Sequence, residues 1–343
     1  MKALVLEDYM RLEYKEVPEP VPKSNEVLVK VKAAGICGSD VHGIDGSTGR
    51  RIPPIIMGHE ASGIIEGVGS TVTGWKKGDR VTFDSTIYKQ DDWYSQQGMY
   101  NLSDDRMVLG VSTTEFRKDG AFAEYVTVPE HILYPLPSNV SFTDAALTEP
   151  AAVALHGIYL SGLQPQDTVV VIGAGMVGMF VIQLLRIKSC KNIIAIDPEA
   201  SKLELARASG AHFAFAPGDD LLTTTLRSLT GNRGADIVIE VVGISKTVNM
   251  AVDIVRKGGT IVLIGNVSPN IEWPLQKVVT RQLRLQGSCA INGEYTEVLQ
   301  LASEGTLNMR SILSAESPLQ EGGEWFQRLY NKEKGLMKII LKP

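Results

Sequence analysis

Apolar positions through residue 155 come in short runs bounded by Gly and Pro, among them Val27-Leu28-Val29-Lys30-Val31-Lys32, Gly78-Asp79-Arg80-Val81-Thr82 and Phe122-Ala123-Glu124-Tyr125-Val126-Thr127-Val128. Strand-like runs between turn formers predict many short strands, here a small β-barrel. From 156 to 290 the texture changes to apolar runs separated by helical patterns: Val169 to Ile172, Ile193 to Ile196, Ile237 to Val241, Thr260 to Ile264 and Leu283 to Gln286. That alternation predicts an α/β unit whose parallel sheet is joined by right-handed crossovers. Residues 291–343 leave the repeat and close on Met337-Lys338-Ile339-Ile340-Leu341, a strand expected to return to the first domain. The expected division is therefore 1–155 with 291–343 as one domain and 156–290 as the other. A chain of 343 residues is long enough for two separate cores.

The strand Asp167-Thr168-Val169-Val170-Val171-Ile172 runs directly into Gly173-Ala174-Gly175-Met176-Val177-Gly178 and then into a helical pattern. Strand, G-x-G-x-x-G and helix together form the dinucleotide-binding context: the turn lets a pyrophosphate approach the backbone of Gly173, Gly175, Met176, Val177 and Gly178 at the positive end of the helix. A second strand ends in Asp197, close to the distance of about 20 residues expected for the acid that binds the adenosine ribose. No Arg follows to hold a 2′-phosphate, and Glu199 would repel one, so NAD is expected over NADP. Lys202 is the one nearby cation that argues the other way, and it fits a first helical turn equally well.

A second constellation precedes it. Cys37, in Gly35-Ile36-Cys37-Gly38-Ser39-Asp40-Val41-His42, and His59-Glu60, in Gly58-His59-Glu60-Ala61-Ser62-Gly63, gather a thiol, an imidazole and a carboxylate, all zinc-compatible. The wide gap between Cys37 and His59 rules out a finger-type pair, so a folded scaffold has to bring them together. A catalytic zinc takes three protein ligands and keeps one position open. The third would be Glu60 or the more distant Glu149, which opens a small, apolar, helix-like stretch where an unpartnered carboxylate would be costly. The competing reading makes Cys37 a buried apolar filler and the glutamates surface or capping carboxylates. Asp40 has two readings, as the acceptor of the other N–H of His59 or as a structural turn cap, and Ser39 is close enough to Cys37 to meet a metal-held oxygen.

Composition narrows the setting. Lys plus Arg total 34 against 39 Asp plus Glu, a net charge of −5 with no basic block, so nucleic acid and anionic membrane are unexpected partners. No leader pattern opens the chain and no apolar run spans a bilayer, which predicts a cytoplasmic protein. Three cysteines give no disulfide framework. Cys190 and Cys289 read as buried small apolar residues.

The order of these motifs resembles the zinc-dependent medium-chain alcohol and polyol dehydrogenases over essentially the whole length. It is most similar to the sorbitol and threonine dehydrogenase branch, in which a Glu-Pro, here Glu149-Pro150, replaces a zinc cysteine. The resemblance implies a GroES-like β-barrel catalytic domain and a Rossmann doubly wound parallel sheet. It implies one catalytic zinc per chain on Cys37, His59 and a glutamate, with Glu60 and Glu149 exchanging as ligands. It also implies a proton relay from Ser39 through the cofactor ribose to His42, and a homodimer or homotetramer. The substrate class it implies is an alcohol/ketone pair, such as a secondary alcohol of a polyol. Zinc-free quinone or enone reductases share the architecture without needing the ligand set, and a non-catalytic NAD-binding protein is the third possibility.

The chain departs from its relatives in one place. The cysteines of a structural-zinc lobe, spaced C-x2-C-x2-C-x7-C, would fall on Lys89, Asp92, Ser95 and Ser103, so no structural zinc is expected. The lobe would instead be held by packing of Trp93, Tyr94, Met99 and Tyr100 and by a Lys89–Asp92 ion pair. Arg50-Arg51 has two readings, as a binding site for a phosphate or carboxylate on the substrate or as two solvated loop arginines.

Overall fold

The strand Glu26–Gly35 is buried along nearly its whole length, because three other strands pair along it. Glu60–Val68 runs antiparallel with Gly35 opposite Glu60, Lys338–Lys342 runs antiparallel with Gly35 opposite Ile340, and Tyr125–Pro129 pairs with the first half. These four strands form the middle of a seven-stranded sheet that continues through Arg80–Phe83 and Leu133–Pro135 on one side and Leu313–Pro318 on the other. The closing strand thus returns to the N-terminal part of the chain, as its sequence suggested. A three-stranded sheet of Arg11–Glu16, Lys2–Asp8 and Ile55–Ile56 covers the same core. That core is well filled. Phe83, Phe122, Phe326, Met57 and Leu4 are among its fully buried side chains, and the rings of Phe122 and Phe326 meet edge to face at 5.7 Å.

The computed structural model describes residues 1–343 and resolves into two units. The first is Met1–Glu149 with Ile291–Gly305 and Met309–Pro343, and the second is Pro150–Ala290 with Thr306–Asn308. The division falls inside the helix Thr148–Ser161, and the texture change read at 155 lies in that same helix.

The second unit is a six-stranded parallel sheet in the order Phe213–Phe215, Asn192–Ile196, Thr168–Ile172, Ala235–Glu240, Val255–Leu263, Arg284–Gly287. Chain order reverses beside Thr168–Ile172, which is the topological switch point where doubly wound sheets bind nucleotides. Thr168–Ile172 is buried at every position and Met176–Ile187 on almost every face, as expected for the centre of a layered core. Arg284–Gly287 forms an open edge and all four of its residues are exposed. No helix is long and apolar enough to cross a membrane.

Candidate metal centre

Two short pieces of backbone converge at one end of the seven-stranded sheet. Cys37 leaves the strand Glu26–Gly35 in an extended conformation and caps the short helix Gly38–Gly43. His59 precedes, and Glu60 begins, the strand Glu60–Val68. The potential ligand atoms of Cys37, His59 and Glu60 all lie within 4.8 Å of one another. Glu60 is fully buried, His59 is 6% exposed, and Oε1 of Glu60 has no hydrogen-bond partner. A buried carboxylate oxygen left unpaired beside a thiol and an imidazole is costly on its own and suited to a cation. The donor set fits zinc.

The other oxygen of that carboxylate, Oε2, accepts a hydrogen bond from the ammonium of Lys338, which also donates to the carbonyl of Ile36 at 2.9 Å. Lys338 is fully buried. Sequence reasoning missed it, although Lys338 opens a strand whose next three residues are all buried, and a lysine in such a strand must have a partner.

The surrounding charges act on the histidine. Burial opposes a positive charge on His59, but the carboxylate of Asp40 and the sulfur of Cys37 outweigh it and hold the imidazole well above its ordinary range. Asp40 Oδ1 stands 3.5 Å from His59 Nδ1, longer than a good hydrogen bond. Burial likewise disfavours a charge on Asp40, yet His59 and Arg51 keep its carboxyl far below the usual carboxylate range. Glu149 lies near but outside the cluster of three. Its carboxyl accepts a bond from Ser85 Oγ at 3.1 Å. Burial pushes it up to about 7, with His59 opposing the push and Glu60 adding to it. Ser39 and His42 sit on the helix Gly38–Gly43, both exposed and three positions apart, so they share one helical face.

Several expectations need correction. Arg51 is neither a solvated loop residue nor turned to a substrate: it is 3% exposed and paired with Asp40 at 2.7 Å. Cys289 is only partly buried, whereas Cys190 is buried. In the lobe, Lys89 pairs with Asp105 at 2.6 Å, not with Asp92. Asp92 instead accepts from the backbone N–H of Ser95 at 2.7 Å and from the hydroxyl of Ser103, while the backbone N–H of Lys89 donates to that same hydroxyl at 3.2 Å. Lys89, Asp92, Ser95 and Ser103 thus hydrogen-bond among themselves. Trp93 contributes little packing at 62% exposure. Tyr100 fastens the lobe, with its ring stacked on Tyr88 at 4.4 Å and its hydroxyl donating to the buried Asp84 at 2.7 Å.

In the second unit, a Cβ on Gly178 would stand 1.9 Å from the carbonyl oxygen of Gly173, whereas one on Gly175 would meet nothing within 4 Å. Gly178 therefore serves close helix packing, and Gly175 leaves open space over the turn, as a bound pyrophosphate requires. Gly175 caps Met176–Ile187 without a side-chain bond, which leaves the N–H groups of Met176 and Val177 to an anion. Asp197 is already positioned: its carboxylate accepts from the N–H of Ala174 at 2.8 Å and of Glu199 at 2.9 Å. Lys202, the cation that argued for a 2′-phosphate, is neutralised by Glu199 at 2.6 Å.

A β-rich unit holding a Cys–His–Glu cluster, and a doubly wound unit holding a phosphate-ready turn, define a metal- and dinucleotide-dependent oxidoreductase. Comparison with known proteins gives the family. Residues 23–138 match the Alcohol dehydrogenase GroES-like domain and residues 176–304 the Zinc-binding dehydrogenase family. The chain is 32% identical to D-xylulose reductase A of Aspergillus oryzae over 347 residues, covering 98% of this chain and 96% of that protein. Among solved structures, it superposes on alcohol dehydrogenase TADH from Thermus sp. ATN1 with a TM-score of 0.92 at 31% identity, covering 100% and 99% of the two chains. A zinc-binding dehydrogenase from Sinorhizobium meliloti 1021, solved bound to NADP, gives 0.91 at 30% identity with the same coverage. The chain belongs to the zinc-dependent medium-chain alcohol and polyol dehydrogenases.

Proposed function

We propose that this dehydrogenase interconverts a secondary alcohol of a polyol or related hydroxy compound and the corresponding ketone, using NAD and one zinc per chain held by Cys37, His59 and Glu60. The observation that carries this reading is the cluster itself, in which Oε1 of Glu60 lies unpartnered beside Cys37 and His59. Zinc bound there supplies Lewis acidity, which draws electron density from an alcohol oxygen and eases loss of its proton.

The remaining work falls to the chain's own residues. Ser39 accepts the hydroxyl proton of the substrate while handing its own proton onward, and His42, exposed on the same helical face, releases a proton to solvent, so that one proton enters the relay and one leaves it. Glu149, buried near the cluster and held by Ser85 Oγ at 3.1 Å, is the exchange ligand. Gly173, Gly175, Met176, Val177 and Gly178 seat the pyrophosphate, and Asp197 takes the adenosine ribose. The carboxylates of Asp197 and Glu199 favour NAD over its 2′-phosphorylated form. The lobe carries no second zinc, because Lys89, Asp92, Ser95 and Ser103 offer no thiolate. The protein is a homodimer, or a homotetramer built from dimers.

Metal analysis tests the centre. About one zinc per chain is expected; Cys37→Ala should lose both zinc and activity while keeping nicotinamide-nucleotide binding. Two tightly held zincs per chain would overturn the assignment of the lobe. Turnover of polyols, sugar phosphates, hydroxy acids and threonine, followed at the NADH absorbance, identifies the substrate.

A further inference from the structure

Arg51 takes part in no step of the proposed reaction, yet its guanidinium lies beside the metal cluster. Nε and Nη2 both donate to Oδ1 of Asp40, at 3.2 and 2.7 Å, and Nη1 donates to the carbonyl of Arg50 at 2.9 Å. That same Oδ1 is the atom 3.5 Å from Nδ1 of His59, and the backbone N–H of Cys37 reaches Oδ2 of Asp40 at 3.4 Å. One carboxylate therefore stands between the guanidinium and the ring of one candidate ligand, whose Nδ1 it faces without a hydrogen bond, and touches the backbone of another. The surroundings are shaped for it. Residues on either side of Arg51 bond to Ser112, whose N–H donates to Arg50 O at 3.2 Å and whose carbonyl accepts from Ile52 N at 3.1 Å. A Cβ on Gly43 would stand 2.5 Å from Cγ of Arg51, so only glycine there lets the side chain cross.

Stability alone is a weak reason for such a pair. Desolvating two charges costs about as much as their attraction returns, and apolar residues of similar volume often replace them without loss. What two donors converging on one oxygen do supply is direction, because Nε and Nη2 of a rigid guanidinium hold Oδ1 of Asp40 in one place. A metal-binding histidine needs that direction: the acceptor on its outer nitrogen sets its tautomer and the aim of its inner one.

We propose that Arg51 is a positioning residue for the metal centre, locking Asp40 so that Oδ1 faces Nδ1 of His59 and the other ring nitrogen turns toward Cys37 and Glu60. This rests on the assignment of Cys37 and His59 as ligands. The test compares the unmodified protein with Arg51→Met, Arg51→Lys, Asp40→Asn and the double variant Asp40→Asn/Arg51→Met. Three quantities are read: zinc affinity by competition with a chromophoric chelator, the visible absorption of the cobalt(II)-loaded protein, and the thermal midpoint of the metal-free protein.

Arg51→Met should weaken zinc about 10- to 100-fold and alter the cobalt spectrum. Arg51→Lys, which keeps the charge but not the fork, should recover part of both. The double variant should lose no more affinity than Asp40→Asn alone, since both residues act through one contact. If Arg51→Met fails to fold, Arg51→Lys and the double variant carry the comparison. Unchanged affinity and spectrum with a lowered metal-free midpoint would make Arg51 a structural ion pair and overturn the proposal, as would additive losses in the double variant. Absence of zinc binding by the unmodified protein would refute the ligand assignment itself, a separate and recognisable failure.

Discussion

Lys338 and Glu60 make a contact in which neither side chain is exposed, so removing one charge strands the other. Breaking such a pair costs about 3–5 kcal/mol. Lys338→Met should therefore lower the thermal midpoint of the metal-free protein sharply. Zinc, as a substitute cation at the same carboxylate, should restore more stability to the variant than it adds to the unmodified chain, as thermal unfolding with and without zinc will show. Asp197 gives a second expectation: Asp197→Ala should weaken NAD and narrow the preference over NADP in steady-state kinetics, whereas equal efficiency of the two cofactors in the unmodified protein would contradict its role. Cys37, His59, Glu60 and the glycine turn were legible in the sequence because each stands in a short motif whose chemistry needs those residue types. Lys338, Ser85 and Arg51 were not. Lys338 reaches its partner across 278 positions and Ser85 across 64, and no local pattern encodes such pairings. Arg51 read either as a substrate-anion ligand or as a solvated loop arginine, because nothing nearby in the sequence marks the depth of its burial.

The lobe is held by hydrogen bonds and ring stacking that reach beyond it. Tyr100 joins it to Asp84, and its hydroxyl also accepts from the N–H of Gly293 at 2.8 Å while Asn292 donates to Gly98 O at 2.8 Å. Burial raises the carboxyl of Asp84 to about 6 from an ordinary 3.8, with bonds from Thr86 and Tyr100 opposing it. The folded state thus binds the proton more tightly than the unfolded chain, so this residue's contribution falls as pH rises through the window between those values. Asp84→Asn keeps an acceptor for Thr86 and removes the buried charge. It also removes the acceptor of the Tyr100 hydroxyl, a cost present at every pH, so the effect of the substitution should be more favourable at pH 8 than at pH 4 by on the order of 2 kcal/mol, because each tenfold gain in proton affinity on folding is worth about 1.36 kcal/mol. Thermal midpoints at the two pH values decide it, and equal effects at both would refute the account. The elements of the second unit could be read from sequence because strands buried on both faces announce themselves as apolar runs. The first unit was legible only as many strands, since its pairing joins segments from both ends of the chain.

For the molecule as a whole, the open edge at Arg284–Gly287 is the feature with the widest reach. Leu285 on that edge and Leu275 and Val279 on the preceding helix are exposed, and an unpaired strand edge beside exposed apolar side chains invites a second copy of itself. Light scattering should show a dimer, and Leu285→Lys should shift it toward monomer without loss of zinc; a monomeric unmodified protein would refute the pairing. The return of Lys338–Lys342 to the first sheet bears on something else, the timing of synthesis. At about 5–20 residues per second, the lysine that balances Glu60 emerges roughly 14–56 s after it. The nucleotide-binding unit, almost continuous in the chain, can fold during that interval. The metal centre cannot, because a growing chain still lacks both the central strand's partner and the buried cation. Assembly of the centre thus waits for Lys338, and a ribosome stalled before that residue leaves Glu60 without the cation that balances it.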